Sequence, residues 1–227
     1  MGFKNAVGTW IVALALLAPP LAAHAQGRAA EIVSLKGEAS AVAITGASRG
    51  LRRGSSLFQG DRVETQEDSA LVMRFTDGTR FDLGEKSAMS VDAYAYQENA
   101  ESNSFSASVF KGVFRFVSGL IAKRRSRSMG VRTPVATIGI RGTSVAGEAD
   151  ATSSTIMLLE PEEDEGPTAI EVSNQFGSVT IDEPGFGTEI PDASSPPSPP
   201  RRMQLRTIQN LQRTLQSIGR IRPPRIR

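Results

Sequence analysis

Apolar and polar residues alternate with a period of two along most of this chain, in short runs broken by Gly, Pro, Asn and Asp. Such runs read as half-buried β-strands. The pattern predicts strands over residues 31–35, 39–44, 62–65, 70–75, 80–83, 88–96 and 105–110. The clearest unit is residues 70–75 and 80–83 on either side of Thr76-Asp77-Gly78-Thr79. Asp-Gly between alternating runs marks a hairpin, because such turns need residues that tolerate positive φ. Lys111-Gly112 reads as a further turn leading into a strand at 113–117. Phe58, Phe75, Phe81, Phe110, Phe114 and Phe116 lie in these runs and are expected in the core. Phe114 and Phe116 share one face, with Arg115 on the other.

Strands resume at Val131, and residues 154–159, 168–173 and 178–181 continue the pattern. Many short strands and little helical signal predict an all-β fold. The basic cluster Lys123, Arg124, Arg125 and Arg127 is expected in a solvated loop or amphipathic turn, and residues 160–165 in an exposed acidic loop. The predicted organisation is a leader at 1–25, a β domain at 26–150, additional strands packing on it at 151–190, and a Pro/Ser linker at 191–200. Residues 201–227 are expected to form an Arg-rich amphipathic α-helix and tail. There Ile208, Leu211, Leu215 and Ile218 make an apolar stripe, and Arg206, Arg213 and Arg220 recur every seven residues beside it.

The ends of the chain change this picture. Lys4, an apolar run at 6–18 and the small residues Ala23 and Ala25 compose a secretory signal peptide, predicting a mature chain that begins at Gln26 and has no transmembrane span. The expected location is periplasmic or secreted. Cleavage would remove the sole His, His24, and the chain has no Cys. Thiol, imidazole and Cys/His metal chemistry are thereby excluded from the mature form, so no enzyme activity and no cofactor are expected. Eight Arg and no acid follow residue 200, whereas residues 26–200 hold 17 basic and 24 acidic side chains. A basic tail on an acidic body suggests an anionic envelope surface, or a neighbouring copy, as the tail's target. It does not suggest nucleic acid. The tail is expected to become helical only when bound, since a helix this short is marginal alone.

One stretch stands out, Val131-Arg132-Thr133-Pro134-Val135-Ala136-Thr137-Ile138-Gly139-Ile140-Arg141-Gly142-Thr143. Pro134 gives a rigid entry, and alternation puts Ile138 and Ile140 on one face with Gly139 and Arg141 on the other. An Arg held beside glycines can brace carbonyl groups or pair with a carboxylate through both prongs. A structural clamp is the expectation for Arg141, and a ligand contact the alternative. From about Val33 to Ala149 the sequence resembles the FecR domain. The resemblance rests on Gly54 and Gly60-Asp61-Arg62-Val63-Glu64-Thr65, on the 70–75 strand with Asp77-Gly78-Thr79, on Lys111-Gly112-Val113-Phe114-Arg115, and on the Thr133-Pro134 to Arg141-Gly142-Thr143 signature. It implies a β-rich periplasmic domain, twisted and solenoid-like or sandwich-like, and marks Asp61, Thr65, Asp77, Gly78, Gly112, Thr133, Pro134, Arg141, Gly142 and Thr143 as structural or partner-contact positions. In the family's best-known members the domain is part of a cell-surface signalling relay, where a cytoplasmic anti-sigma segment and a membrane span precede it. This sequence is more similar to the stand-alone exported form. The expected function is a binding module contacting an envelope protein, in sensing or signalling, with a structural or adhesive surface protein as the alternative.

Overall fold

The computed structural model describes residues 27–98, 100–124, 128–160, 168–203, 206 and 209. Among them are seventeen strands and one short helix. In chain order the strands are β1 (Arg28–Lys36), β2 (Ala39–Val42), β3 (Ser48–Gly50), β4 (Ser56–Phe58), β5 (Arg62–Thr65), β6 (Ala70–Phe75), β7 (Arg80–Leu83), β8 (Ala88–Ala95) and β9 (Ser104–Val117). After the helix α1 (Leu120–Arg124) come β10 (Met129–Arg132), β11 (Thr137–Arg141), β12 (Ser144–Ala149), β13 (Ser154–Leu159), β14 (Ala169–Asn174), β15 (Gly177–Ile181), β16 (Phe186–Ile190) and β17 (Arg201–Arg202).

The strands pair into two open ladders that share β9. Ladder A runs β4-β1-β6-β7-β9-β12-β13-β16-β17. Ladder B runs β3-β2-β5-β8-β9-β10-β11-β14-β15. All pairings are antiparallel except β9 with β10. The C-terminal half of β9 belongs to ladder A and its N-terminal half to ladder B. One apolar core draws on both ladders. Phe75 of ladder A has its ring centroid 4.8 Å from Phe105 and 5.3 Å from Tyr94 of ladder B.

The chain passes between the ladders at a row of corners built from local signals. The β5–β6 and β7–β8 corners carry the same pattern, Glu67-Asp68-Ser69-Ala70 and Glu85-Lys86-Ser87-Ala88. In each the middle residue is left-handed, Asp68 at φ 52 and Lys86 at φ 50. In each the Ser hydroxyl donates to the carbonyl two residues back, at 3.0 and 3.1 Å. The corners lie side by side: the Asp68 N–H donates to Glu85 and Lys86 bonds Glu67. Outside them sit the bends at Gly37 and Gly112, with φ of 71 and 94. A Cβ on Gly112 would lie 2.6 Å from the Ser87 Cα, and one on Gly37 3.0 Å from the Ser69 Cα. Only glycine supplies both that φ and that closeness.

Most predicted strands are present, and three expectations are corrected. Lys111-Gly112 is not a reversal but a bend inside β9, which continues across it. Residues 120–124 form an amphipathic turn, one of the two forms expected around the basic cluster: Ile121 and Ala122 are buried and Lys123 is exposed. Phe58 and Phe110 are half-buried rather than in the core; the Arg49 and Arg62 guanidinium groups lie 5.7 and 4.4 Å from their ring centroids. The strands after residue 150 do not pack on a finished domain. They extend both ladders, β12 pairing β13 and β11 pairing β14 along their lengths.

The 191–200 segment is likewise not free. Ser198 N–H donates to the Glu189 carbonyl at 2.9 Å, Thr188 Oγ1 donates to the Ser198 carbonyl at 2.7 Å, and Asn174 Nδ2 donates to the Ser195 carbonyl at 2.8 Å. Arg201–Arg202 then pair with β16 as strand rather than helix. Arg206 and Gln209 are helical and exposed. The expected leader at 1–25 and the tail residues Ile208, Leu211, Arg213, Leu215, Ile218 and Arg220 lie outside the described residues. Among the described residues no helix is long and apolar enough to cross a membrane.

Candidate functional site

The signature residues do not converge on one site. Most stand where the chain changes ladder or reverses. Asp61, at the β4–β5 crossing, is 1% exposed. Its carboxylate accepts from the Phe58 N–H at 2.8 Å and from both terminal nitrogens of Arg49. Thr65 donates its hydroxyl to the Gly84 carbonyl at 2.6 Å and accepts from the Ser87 N–H at 3.0 Å, closing the neighbouring corner. Gly112 forms the β9 bend. Thr133 and Pro134 make the β10–β11 turn, where Thr133 Oγ1 accepts from the Ala136 N–H at 3.1 Å and from the Ser154 hydroxyl at 2.9 Å. Gly142, at φ 56, lets the chain cross from β11 to β12. Next to it the Thr143 N–H donates to Ser118 Oγ at 2.8 Å.

Asp77 and Gly78 form the β6–β7 tip, a full strand length from the corners. Asp77 is 1% exposed. It accepts from the Thr79 N–H at 3.1 Å, from Thr79 Oγ1 at 2.8 Å and from the Tyr94 hydroxyl at 3.3 Å. Its carbonyl accepts the Leu120 N–H at 3.0 Å, tying the tip to α1. Burial, with the adjacent Asp77 charge adding to it, pushes the Tyr94 phenol up to about 12. An open cleft of about 510 Å³ lies beside the tip, lined by Arg74, Arg80, Val117 and Lys123.

Arg141 is the exception. The expected clamp is corrected: Arg141 is exposed, and it has no ion pair or side-chain hydrogen bond among the described residues. The reason is alternation. β11 must turn Ile138 and Ile140 inward, both at most 1% exposed, and that sends Thr137, Gly139 and Arg141 outward. On this outward face of ladder B, register sets Gly130, Gly139, Glu171 and Thr180 in one row, with Arg141 opposite Ala169 in the next. The two glycines leave a trough of bare backbone. Arg141 and Glu171 stand diagonally across it, and Glu171 is exposed as well. The trough opens into a cleft of about 460 Å³ lined by Met129, Gly139, Arg141, Ala169, Glu171 and Thr180.

Beside the trough the face is polar. Asp92 accepts from Ser108 Oγ at 2.6 Å, from Ser90 Oγ and from Arg132 Nη2 at 2.9 Å. Burial pushes its carboxyl up, but these bonds outweigh burial and hold it below the usual carboxylate range. Among the described residues no three acidic, His or Cys side chains gather as metal ligands.

The geometry gives the signature a physical meaning: glycines, hydroxyls and carboxylates that turn a chain between two ladders. Residues 61–161 match the FecR protein family. That stretch carries a FecR domain. The matched stretch begins at the buried Asp61 and includes the signature residues from Asp61 to Thr143, while Gly54 and Gly60 precede it and β1 to β4 and β14 to β17 complete both ladders from outside it. No curated protein matches the chain. Two crystal structures of a candidate anti-sigma factor from Parabacteroides distasonis ATCC 8503 are similar to it. Each has 12% identity and a TM-score of 0.48, covering 65% of this chain and 62% of that one. The chain thus matches under two thirds of that protein's length.

Sequence reasoning missed Arg49, the partner of Asp61, and the pairing of Asp82 with Arg80 and Arg115. The signal for the second was visible. Asp82 and Arg115 each interrupt an aromatic or aliphatic pair in a strand, which puts two opposite charges on outward faces of the same sheet.

Proposed function

We propose that this FecR-domain protein is exported and works in the cell envelope as a non-enzymatic binding module in sensing or signalling. Its protein partner would sit on the outward face of ladder B around Arg141. One observation carries the reading: the signature arginine stands exposed at the Gly130–Gly139 trough, with no ion pair or side-chain hydrogen bond among the described residues. An exposed guanidinium with a carboxylate diagonal to it suits a partner segment that carries complementary charges, and bare backbone between them lets that segment approach closely. The signal-like N-terminus supports export, and the mature chain's lack of His and Cys supports a non-enzymatic role. The paired ladders around one core suit the twisted, sandwich-like form expected of the family.

The test is a cross-linking pull-down from envelope extracts with Arg141→Ala and Glu171→Ala. The expected result is an unchanged melting temperature with loss of the captured partner. A lowered melting temperature with capture intact would return Arg141 to a structural role. Cell fractionation separates this reading from a surface adhesin, which would stay with the outer membrane or be shed.

A further inference from the structure

Each ladder ends in strands that are paired on one side only among the described residues, and the four ends differ. β3 and β4 are three residues long, and β17 is the charged pair Arg201–Arg202. β15 has five residues, Gly177-Ser178-Val179-Thr180-Ile181, with no charge and no Pro. Very short strands, charges and Pro are the devices that keep sheet edges from pairing. β15 carries none of them.

The direction of its free backbone groups follows from the register. The Thr133 N–H donates to the Ala136 carbonyl at 2.8 Å, which makes Thr133 with Ala136, and then Val131 with Ile138, the hydrogen-bonded pairs of β10 and β11. In an antiparallel ladder successive residues direct their backbone groups to opposite sides. Carried through β11, β14 and β15, this alternation turns Gly177, Val179 and Ile181 toward β14. The N–H and C=O groups of Ser178 and Thr180 point the other way. Both residues are exposed, and these groups have no partner among the described residues.

The outward groups are self-complementary. A two-fold axis perpendicular to the sheet, midway between the Val179 residues of two copies, sets Ser178 of each copy opposite Thr180 of the other. Each such pair exchanges two hydrogen bonds, so this register uses every outward backbone group of β15. We propose that β15 pairs with β15 of a second copy in this register, joining the two B ladders edge to edge. The strand is neutral, so no like charges meet when it faces itself, and the Ser178 and Thr180 hydroxyls become favourable cross-strand neighbours. Phe176, 46% exposed at the β14–β15 turn, is carried alongside the Ile181 end of the other strand, where its ring gains cover. The row Gly130, Gly139, Glu171 and Thr180 then runs on into Ser178, Ser173, Thr137 and Arg132 of the second copy. One continuous sheet presents both Arg141 troughs on the same side.

Sedimentation of the mature chain should show a monomer–dimer equilibrium between about 1 μM and 1 mM. The chain has no Cys, so engineered thiols report cleanly. Val179→Cys should cross-link into a dimer under mild oxidant, because facing residues of a non-hydrogen-bonded antiparallel pair lie about 4.5 Å apart at Cα. Ser178→Cys should not, because its own counterpart lies on the diagonal, beyond the roughly 7 Å limit for a disulfide. Ser178→Lys with Thr180→Lys sets ammonium groups opposite one another and should weaken the dimer about tenfold. Ser178→Glu with Thr180→Lys sets opposite charges in the same places and should restore it. These four side chains are exposed, so the two double variants should share one melting temperature when dilute. A monomer throughout the range would overturn the proposal. So would equal cross-linking of Val179→Cys and Ser178→Cys, or a dimer indifferent to both charge variants.

Discussion

Asp82 and Arg115 form a buried ion pair across β7 and β9, 3.3 Å apart, with the two side chains 0% and 10% exposed. Arg80 approaches the other carboxylate oxygen at 2.8 Å. Burial pushes the Asp82 carboxyl up, and the guanidinium groups of Arg80 and Arg115 oppose that push. Removing one partner of such a pair leaves the other's buried charge less compensated, a larger effect than removing both. Asp82→Ala is expected to cost about 3–5 kcal/mol in urea unfolding, and Asp82→Leu with Arg115→Met to recover most of that loss. A double variant no more stable than Asp82→Ala would show that the pair is not the unit of stability.

Glycines at two signature positions separate strain from crowding. Gly78, at φ 88, has nothing within 4 Å of a built Cβ, whereas Gly112, at φ 94, has the Ser87 backbone 2.6 Å away. Gly78→Ala should therefore cost only the left-handed penalty, about 1–2 kcal/mol. Gly112→Ala carries that penalty plus displacement of the β7–β8 corner, and is expected to cost about 3 kcal/mol or more. Thermal melts of the two variants decide it; equal losses would refute the crowding argument.

The Asp61 carboxylate holds the β4–β5 crossing through the Phe58 N–H and both prongs of Arg49. Asp61→Ala should destabilise by about 2 kcal/mol, the scale of hydrogen bonds to a buried charge. Hydrogen exchange at Phe58 should accelerate in the same variant. Protection unchanged at Phe58 would mean that the crossing is held elsewhere.

Tyr94 supplies a pH dependence with a definite sign. Its folded phenol is raised to about 12 from an ordinary value of 10.0, chiefly by burial. A raised folded value means that the neutral form favours folding. This contribution is fully present below pH 10 and is lost as the pH rises through about 12. Unfolding stability measured across that alkaline window should fall, and Tyr94→Phe should remove this part of the slope. Phenolate absorbance of the native protein provides the direct titration. Ionisation of Tyr94 at its ordinary value would contradict the buried geometry.

Strand positions and inward faces were legible in the sequence because both are local. Side chains alternate by residue, and the Asp77-Gly78 turn closes within four residues, so periodicity and turn chemistry suffice. The buried Asp61 and the special glycines were legible as a signature for the same reason: each solves a backbone problem at its own position. What Gly112 does was not legible. A positive φ serves a reversal or a bend equally well, and the Ser87 corner packed against it decides for the bend. The Pro-rich 191–200 segment reads as a free linker by composition, but Thr188, Glu189 and Asn174 offer it hydrogen bonds only once β14 and β16 stand where the ladders put them. Arg141 reads as a clamp beside its glycines. Whether a carboxylate reaches it depends on strands about thirty residues away, and register puts Ala169 opposite it and Glu171 on the diagonal. Local patterning determined the strands and their faces in this protein. Long-range register determined which charges are buried together, which one stays exposed, and how the 191–200 segment is held, because those contacts join residues that the chain brings together only by folding.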